Sequence, residues 1–184
     1  MILVSVHIPK TAGTSFRDSL ESNTCVISDY GDSRPQTSDI VQQDITVKDT
    51  QVFIPPIGNA RVIKVYDGDT FTIATKMPQI SKTDIYRFSV RIKHIDCPEL
   101  RTKNDNEKKV AQIAKEYVYQ AIYNKVIQLS NITYDKYGRL CCDVFYKNRN
   151  IGKELIQNHL AVPYEGKTKI SPTDWLEFYK EKHI

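Results

Sequence analysis

The strongest constraint on the fold is a strand-like segment that runs directly into an acidic turn. Apolar and polar side chains alternate over residues 86–93, which is typical of a strand with one buried face. The alternation breaks at residues 94–95, so we expect the chain to bend or bulge there. Asp96 and Glu99 follow, with Pro98 between them to stiffen the turn. The pattern predicts a carboxylate site at the end of a rigid strand.

A second acidic turn lies upstream, where residues 67–70 read Asp-Gly-Asp-Thr between strand-like runs at 61–66 and 71–74. Asp-Gly between two such runs predicts a hairpin. If Asp69 packs beside Asp96, their repulsion costs about 4 kcal/mol at ~4 Å and an effective dielectric constant of about 20. Either one carboxylate keeps a proton or a cation bridges the two. Oxygen ligands without a nearby Cys or His pair indicate a hard ion, calcium or magnesium.

The remaining periodicity predicts an α+β fold, a five-stranded OB-fold barrel with about three helices. The expected strands are residues 60–67, 69–76, 85–95, 125–134 and 139–147, and the expected helices are 105–124, 151–160 and a short one opened by Pro172 and Thr173. The first helix has an apolar stripe that we expect to be buried. This stripe comprises Val110, Ile113, Ala114, Tyr117, Val118, Ala121 and Ile122.

Charge and composition limit the possible functions of this chain. Residues 1–60 carry four Lys or Arg and seven Asp or Glu, whereas residues 61–184 carry twenty-two and fifteen. A basic body with a local acidic cluster suits a polyanionic substrate, although a basic solubilising surface explains the charge equally well. Neither a transmembrane run nor a good signal peptide is present, and the cysteines show no CxxC spacing. We therefore expect an intracellular monomer with no membrane partner.

Three separated motifs then resemble one family. Residues 65–70, 91–99 and 135–139 are similar, in order and spacing, to the three signatures of the staphylococcal-nuclease-like, or thermonuclease, family. The resemblance covers about residues 60–167. It implies an OB-fold enzyme that binds Ca²⁺ and hydrolyses DNA and RNA as an endonuclease, preferring single strands and leaving 3′-phosphates. The alternative from another class is a nucleic-acid-binding OB module without catalysis.

The resemblance also implies a role for each matching residue. Residue reasoning already makes Asp69 and Asp96 metal ligands, and the resemblance adds the backbone carbonyl of Cys97, which stands where the staphylococcal enzyme has Thr. Glu99 is expected to position or deprotonate the attacking water. The remaining implied residues contact the substrate: Arg91 and Arg139 bracket the scissile phosphate, and Lys136, Tyr137 and Tyr164 hold the neighbouring phosphate and base.

The N-terminal segment matches nothing in that family. Residues 2–21 resemble the phosphosulfate-binding loop of sulfotransferases, a strand–loop–helix with an anion site at the helix N-terminus. The rest of that fold is missing, so we interpret the segment as a nucleotide-binding remnant, a fused fragment or a phosphate-contacting appendage. We expect an N-terminal extension at residues 1–55, the nuclease-like domain at 56–168 and a C-terminal helix or tail at 169–184.

Overall fold

The computed structural model describes residues 44–166 and 170–183, and the chain divides into two compact units, Met1–Phe53 and Ile54–Ile184. In the first unit the described residues contain one 3₁₀ turn, Val47–Asp49, whose Asp49 side chain accepts a hydrogen bond from the Thr46 N–H at 2.9 Å. The predicted N-terminal strand–loop–helix lies outside the described residues. The predicted domain boundaries after residues 55 and 168 stay predictions.

The second unit is a mixed five-stranded barrel with three helices, which confirms the predicted fold class. Its strands are β1 (Asn59–Val65), β2 (Thr70–Lys76), β3 (Ile85–Ile92), β4 (Ile95–Asp96), β5 (Val126–Tyr134), β6 (Leu140–Tyr146), β7 (Arg149–Asn150) and β8 (Val162–Pro163). The barrel strands follow the order β3-β2-β1-β5-β6, all antiparallel neighbours, and a parallel pairing of β3 with β6 closes the ring. Short β7 continues the sheet beyond β6, and β4 pairs with β8.

The three helices begin at side-chain caps and end close to where periodicity predicted. They are α1 (Asp105–Ile122), α2 (Ile151–Gln157) and α3 (Trp175–His183). Asn104 caps α1 by accepting from two main-chain N–H groups, and Asn150 caps α2 in the same way with one. Asp174 accepts from the Leu176 N–H at 2.7 Å at the start of α3. Within the described ranges, none of these helices is long and apolar enough to cross a bilayer.

The strand predicted over residues 85–95 is divided in two by the expected bend. β3 ends at Ile92, and His94 takes a left-handed conformation with φ of 61°. The chain then turns into β4, where Asp96 pairs with Val162 of β8. Because β4 pairs with β8, Asp96 belongs to ordered structure rather than to a free loop.

The barrel core is apolar, and one detail of the predicted α1 stripe is wrong. Ile113 is 36% exposed, whereas Ala111, which we did not predict, is buried. The buried positions of α1 follow four-residue steps, so the face centres on small Ala111 and Ala114 rather than on Ile113. Small side chains let the helix lie close to the hairpin between β1 and β2. The adjacent cysteines of β6 differ in burial, since Cys142 is buried and Cys141 is half-buried.

That hairpin contacts α1 at Gly68. A Cβ atom on Gly68 would lie 2.8 Å from Cys97 Sγ and 2.9 Å from Ala114 Cβ, closer than real Cβ contacts come. The absence of a side chain at position 68 therefore sets how closely the hairpin approaches the turn after β4. The acidic residues of the two turns are brought together by this contact.

We predict that Gly68→Ala lowers the free energy of unfolding by about 1–3 kcal/mol, the usual cost of overpacking. The matched control is Gly58→Ala, because a Cβ there meets nothing within 4 Å. Urea denaturation of both variants measures the difference. Equal stabilities would show that the hairpin yields freely and that Gly68 does not set the contact.

Candidate active site

Two buried carboxylates meet on one guanidinium group. Asp69, just before β2, and Asp96, in β4, are 5% and 6% exposed. Arg91 near the end of β3 donates through Nη1 to Asp69 Oδ2 and through Nη2 to Asp96 Oδ1, the second at 3.0 Å. Each carboxylate is stabilised by the same counter-charge. The structure thus brings together the two aspartates that sequence reasoning placed in one site.

The hairpin before β2 is held by its own first acid. Asp67 Oδ1 accepts from the Thr70 N–H at 2.8 Å and from the Asp69 N–H at 3.3 Å. Burial and the neighbouring charge of Asp69 raise the pKa of Asp67 to about 6. The Thr70 hydroxyl donates to Asp69 Oδ1 at 2.7 Å and fixes that carboxylate from the side opposite Arg91. Asp67 and Thr70 are site residues to which sequence reasoning gave no role.

Arg139 reaches the same cluster from the turn between β5 and β6. Its Nη1 donates to Thr70 Oγ1 at 3.4 Å, and its Nε donates to Asp135 Oδ2 at 2.6 Å. Burial alone would raise the pKa of Asp135, but hydrogen bonds from Arg139 and from the Tyr137 N–H outweigh it and lower the pKa. Asp135 therefore stays charged and orients Arg139. Thr70 links Arg139 to Asp69, so the two predicted guanidinium groups converge on one acidic pair.

Cys97 is buried beneath the hairpin rather than exposed to the cleft. Burial raises the pKa of its thiol well above the ordinary value, and the charges of Asp69, Asp67 and Asp96 raise it further. A neutral, enclosed thiol is a poor metal ligand. Only the backbone carbonyl of Cys97 is suited to the ligand role that the resemblance implies.

Glu99 is carried by a short connection that is tied back to α1. The Glu99 N–H donates to Glu107 Oε1 at 3.0 Å, and the Thr102 hydroxyl donates to Glu107 Oε2 at 2.8 Å. Glu107 lies in the first turn of α1, three residues after the cap Asn104. The Asn-x-x-Glu spacing was a readable signal for a helix start, although Glu107 here holds the Glu99 segment instead of the cap. Sequence reasoning missed this residue.

One cleft of about 580 Å³ collects most of the predicted residues. Asp69 and Cys97 are not part of its lining, and Asp69 is linked to the cleft through its contact with Arg91. Tyr137 is 72% exposed at the cleft, with Lys136 Nζ 5.0 Å and Arg139 Cζ 5.4 Å from its ring centroid. The predicted residues that line the cleft are Arg91, Asp96, Glu99, Lys136, Tyr137, Arg139 and Tyr164.

The donor set of this cluster fits a hard cation. Asp69 and Asp96 present oxygen atoms to neighbouring nitrogens of one guanidinium, so those oxygens lie side by side. Over residues 44–166 and 170–183, no three His, Cys, Asp or Glu side chains form a metal-binding group. An ion here would therefore combine the two carboxylates with a backbone carbonyl and water, a mixture that calcium and magnesium accept.

Comparison with known proteins points to one family. Residues 89–181 match the family described as "Staphylococcal nuclease homologue". A probable endonuclease of Schizosaccharomyces pombe is 31% identical over 127 residues, covering 57% of this chain and 55% of that protein. An uncharacterized endonuclease of Haemophilus influenzae is 30% identical over 105 residues, covering 57% and 52%. A probable endonuclease of Phaeosphaeria nodorum is 25% identical over 87 residues, covering 45% and 29%.

The chain spans about half the length, or less, of these curated relatives. The sulfotransferase resemblance of residues 2–21 is not supported by the matches, and those residues lie outside the described part of the chain.

We predict that Arg91→Met lowers the free energy of unfolding by about 3 kcal/mol, because two buried carboxylates lose their shared counter-charge. Lys180→Met is the control, since Lys180 forms an ion pair with Glu177 in which both side chains are exposed, and its loss is expected to cost less than about 1 kcal/mol. Urea denaturation near neutral pH compares the two. Similar small losses would mean that the carboxylates do not depend on Arg91.

Proposed function

Because the chain belongs to the staphylococcal nuclease family, we propose that it is a metal-dependent nuclease that hydrolyses phosphodiester bonds in DNA and RNA. The observation that carries this proposal is the convergence of Arg91, Asp69, Thr70 and Arg139 through hydrogen bonds beside one cleft. The paired carboxylates can hold a cation, and the two guanidinium groups can stabilise negative charge on the phosphoryl oxygens. The relatives, which are all named as endonucleases, support the same activity.

The proposed cofactor is Ca²⁺. Asp69, Asp96 and the Cys97 carbonyl would hold it, as the oxygen chemistry of the cluster allows. When bound, the ion would supply neutralisation of the negative charge on the scissile phosphate. Arg91 and Thr70 hold the two carboxylates in place before any ion arrives, which lowers the cost of organising the site.

The proposed reaction is attack of water on phosphorus with departure of the 5′-oxygen. Glu99, at the cleft, would accept a proton from the water as its oxygen bonds to phosphorus. Arg91 and Arg139 would donate hydrogen bonds to the phosphoryl oxygens. Arg139 would also donate a hydrogen bond to the departing O5′, which would take up a proton from water as the P–O5′ bond breaks. One product would end in a 3′-phosphate and the other in a 5′-hydroxyl.

The proposed substrate preference is for single strands. Tyr137 offers an exposed ring flanked by Lys136 and Arg139, and Tyr164 lines the same cleft. Base stacking on an aromatic ring tolerates any sequence but needs an unpaired base. Lys136 would contact the phosphate next to the scissile one. This arrangement favours cleavage of single strands and frayed ends with little sequence preference.

The rival function is nucleic-acid binding without catalysis. Incubation of end-labelled single-stranded DNA with the protein and Ca²⁺, and then with excess chelator, separates the two functions. We expect cleavage that the chelator abolishes and that fresh Ca²⁺ restores. If the DNA stays intact in both conditions but migrates as a protein complex in a native gel, the nuclease proposal is excluded and the binding module is supported.

We predict that Glu99→Gln lowers turnover by a factor of about 10² or more, because the general base is lost while the shape of the side chain remains. DNA binding by the variant should stay near that of the parent protein. The control is Glu165→Gln, at the rim of the same cleft, where the exposed carboxylate lies 3.4 Å from His94. Steady-state cleavage measures both, and unchanged turnover in Glu99→Gln would exclude the role of general base.

Glu107 should act as a positioning residue for Glu99. We predict that Glu107→Ala lowers kcat about 10- to 100-fold with little change in KM, because the Glu99 segment loses its tie to α1. Glu107→Gln keeps an oxygen that can accept from the Glu99 N–H and should restore most of the activity. Glu116→Ala, on the exposed side of the same helix, is the control. Equal loss in Glu107→Ala and Glu116→Ala would show a general effect on the helix.

A further inference from the structure

A strongly basic sheet face lies next to the cleft. The strands β1, β2 and β3 contain no acidic residue. Their basic residues are Arg61, Lys64, Lys76, Arg87 and Arg91. We call the outward side of these three strands, together with Tyr66, the β1–β3 face. Among the basic residues of this face, the catalytic proposal uses Arg91 alone; it also uses Thr70, the first residue of β2.

Strand register makes the β1–β3 face continuous with the active site. Arg87, Ser89 and Arg91 alternate on one side of β3, while Val90 and Ile92 are buried on the other. Successive members of this row are therefore about 6.6–6.8 Å apart. The neighbouring positions on β2 are Ala74, Thr72 and Thr70, which are all small. The side chains of Arg87 and Arg91 therefore form a line that leads away from the cleft along β3, and the residues beside them on β2 are small.

Tyr66 supplies an aromatic surface on this face. It is 43% exposed, and Lys64 Nζ lies 4.5 Å from its ring centroid. The Thr72 hydroxyl donates to the Tyr66 hydroxyl at 3.4 Å and lies on the central strand. A hydrogen bond from Thr72, and then the positive charges of Lys64 and Arg87, lower the pKa of Tyr66. The Tyr66 side chain is therefore attached to β2 through its hydroxyl, and Lys64 lies over its ring.

We propose that the β1–β3 face binds the substrate strand beyond the scissile phosphate, with Tyr66 stacking on a base and with Lys64 and Arg87 contacting phosphates. An aromatic ring set among cations along a groove is how proteins hold single-stranded nucleic acid without reading its sequence. The continuity of the row with Arg91 favours a strand that is already engaged in the cleft over a separate anionic ligand. The inference rests on the proposed nuclease function and extends its substrate site.

Binding of a fluorescent 20-nucleotide oligothymidylate, measured by anisotropy in chelator, tests the face without cleavage. Single-strand affinity falls with salt with a slope of about −0.7 per neutralised phosphate. We therefore expect K64A/R87A to reduce the slope of log K against log salt by about 1.4. The control K153A/K182A removes two exposed charges from α2 and α3 and should leave the slope unchanged.

Variants of Tyr66 test the stacking contact. Tyr66→Ala should weaken binding of the 20-nucleotide strand about tenfold, within the usual range for one stacked base. Tyr66→Phe keeps the ring and should bind like the parent protein. Thermal denaturation checks that each variant is folded. A dinucleotide fills only the cleft and is too short to reach the β1–β3 face. Its kcat/KM should therefore be unchanged in Tyr66→Ala and in K64A/R87A.

Each outcome bears on one proposal. Unchanged salt slope and unchanged affinity in both face variants would overturn the inference, as would an equal loss on the dinucleotide. Loss of binding to phosphatidylserine vesicles without loss of DNA affinity would assign the face to lipid and also overturn it. If the parent protein binds DNA through this face but cleaves neither substrate, the nuclease proposal fails while the face remains a nucleic-acid surface.

Discussion

The interaction on which the site depends is the contact of one guanidinium with two buried carboxylates. Asp69 and Asp96 come from different turns and are both buried. Without a cation between them, the two carboxylates would repel each other. Arg91 supplies that charge from inside the fold, at the end of a barrel strand. The acidic pair can therefore form during folding, before the proposed ion binds. The charges that stabilise the fold are thus the same ones that the proposed ion binding would use.

The barrel turns this local contact into a complete site. Arg91 pairs with Cys141 in the parallel contact of β3 and β6, which places the turn carrying Arg139 beside the hairpin carrying Asp69. The small sheet of β4 and β8 holds Asp96 and brings Tyr164 near His94, whose carbonyl accepts from the Tyr164 N–H at 3.0 Å. The functional side chains thus lie at or near the ends of strands whose positions are fixed by the closed barrel.

Most of the fold and the central acids of the site were predictable from the sequence. Strand alternation and the two acidic turns identify the barrel strands, Asp69 and Asp96, because their pattern is local. Thr70, Asp135 and Glu107 were missed as site residues because each acts on another protein residue rather than on a substrate. Their partners are known only when the chain is folded. Ile113 was misplaced because helical spacing alone does not say which small residues face the hairpin.

The parallel β3–β6 contact also has a consequence for how the protein is made. Arg91 and Cys141 are separated by fifty positions, and they become neighbours only when the last barrel strand docks. A nascent chain that has emerged only as far as α1 already carries both aspartates but lacks the second guanidinium. The cluster of two aspartates and two guanidinium groups is therefore complete only after β6 has been synthesised and has docked beside β3.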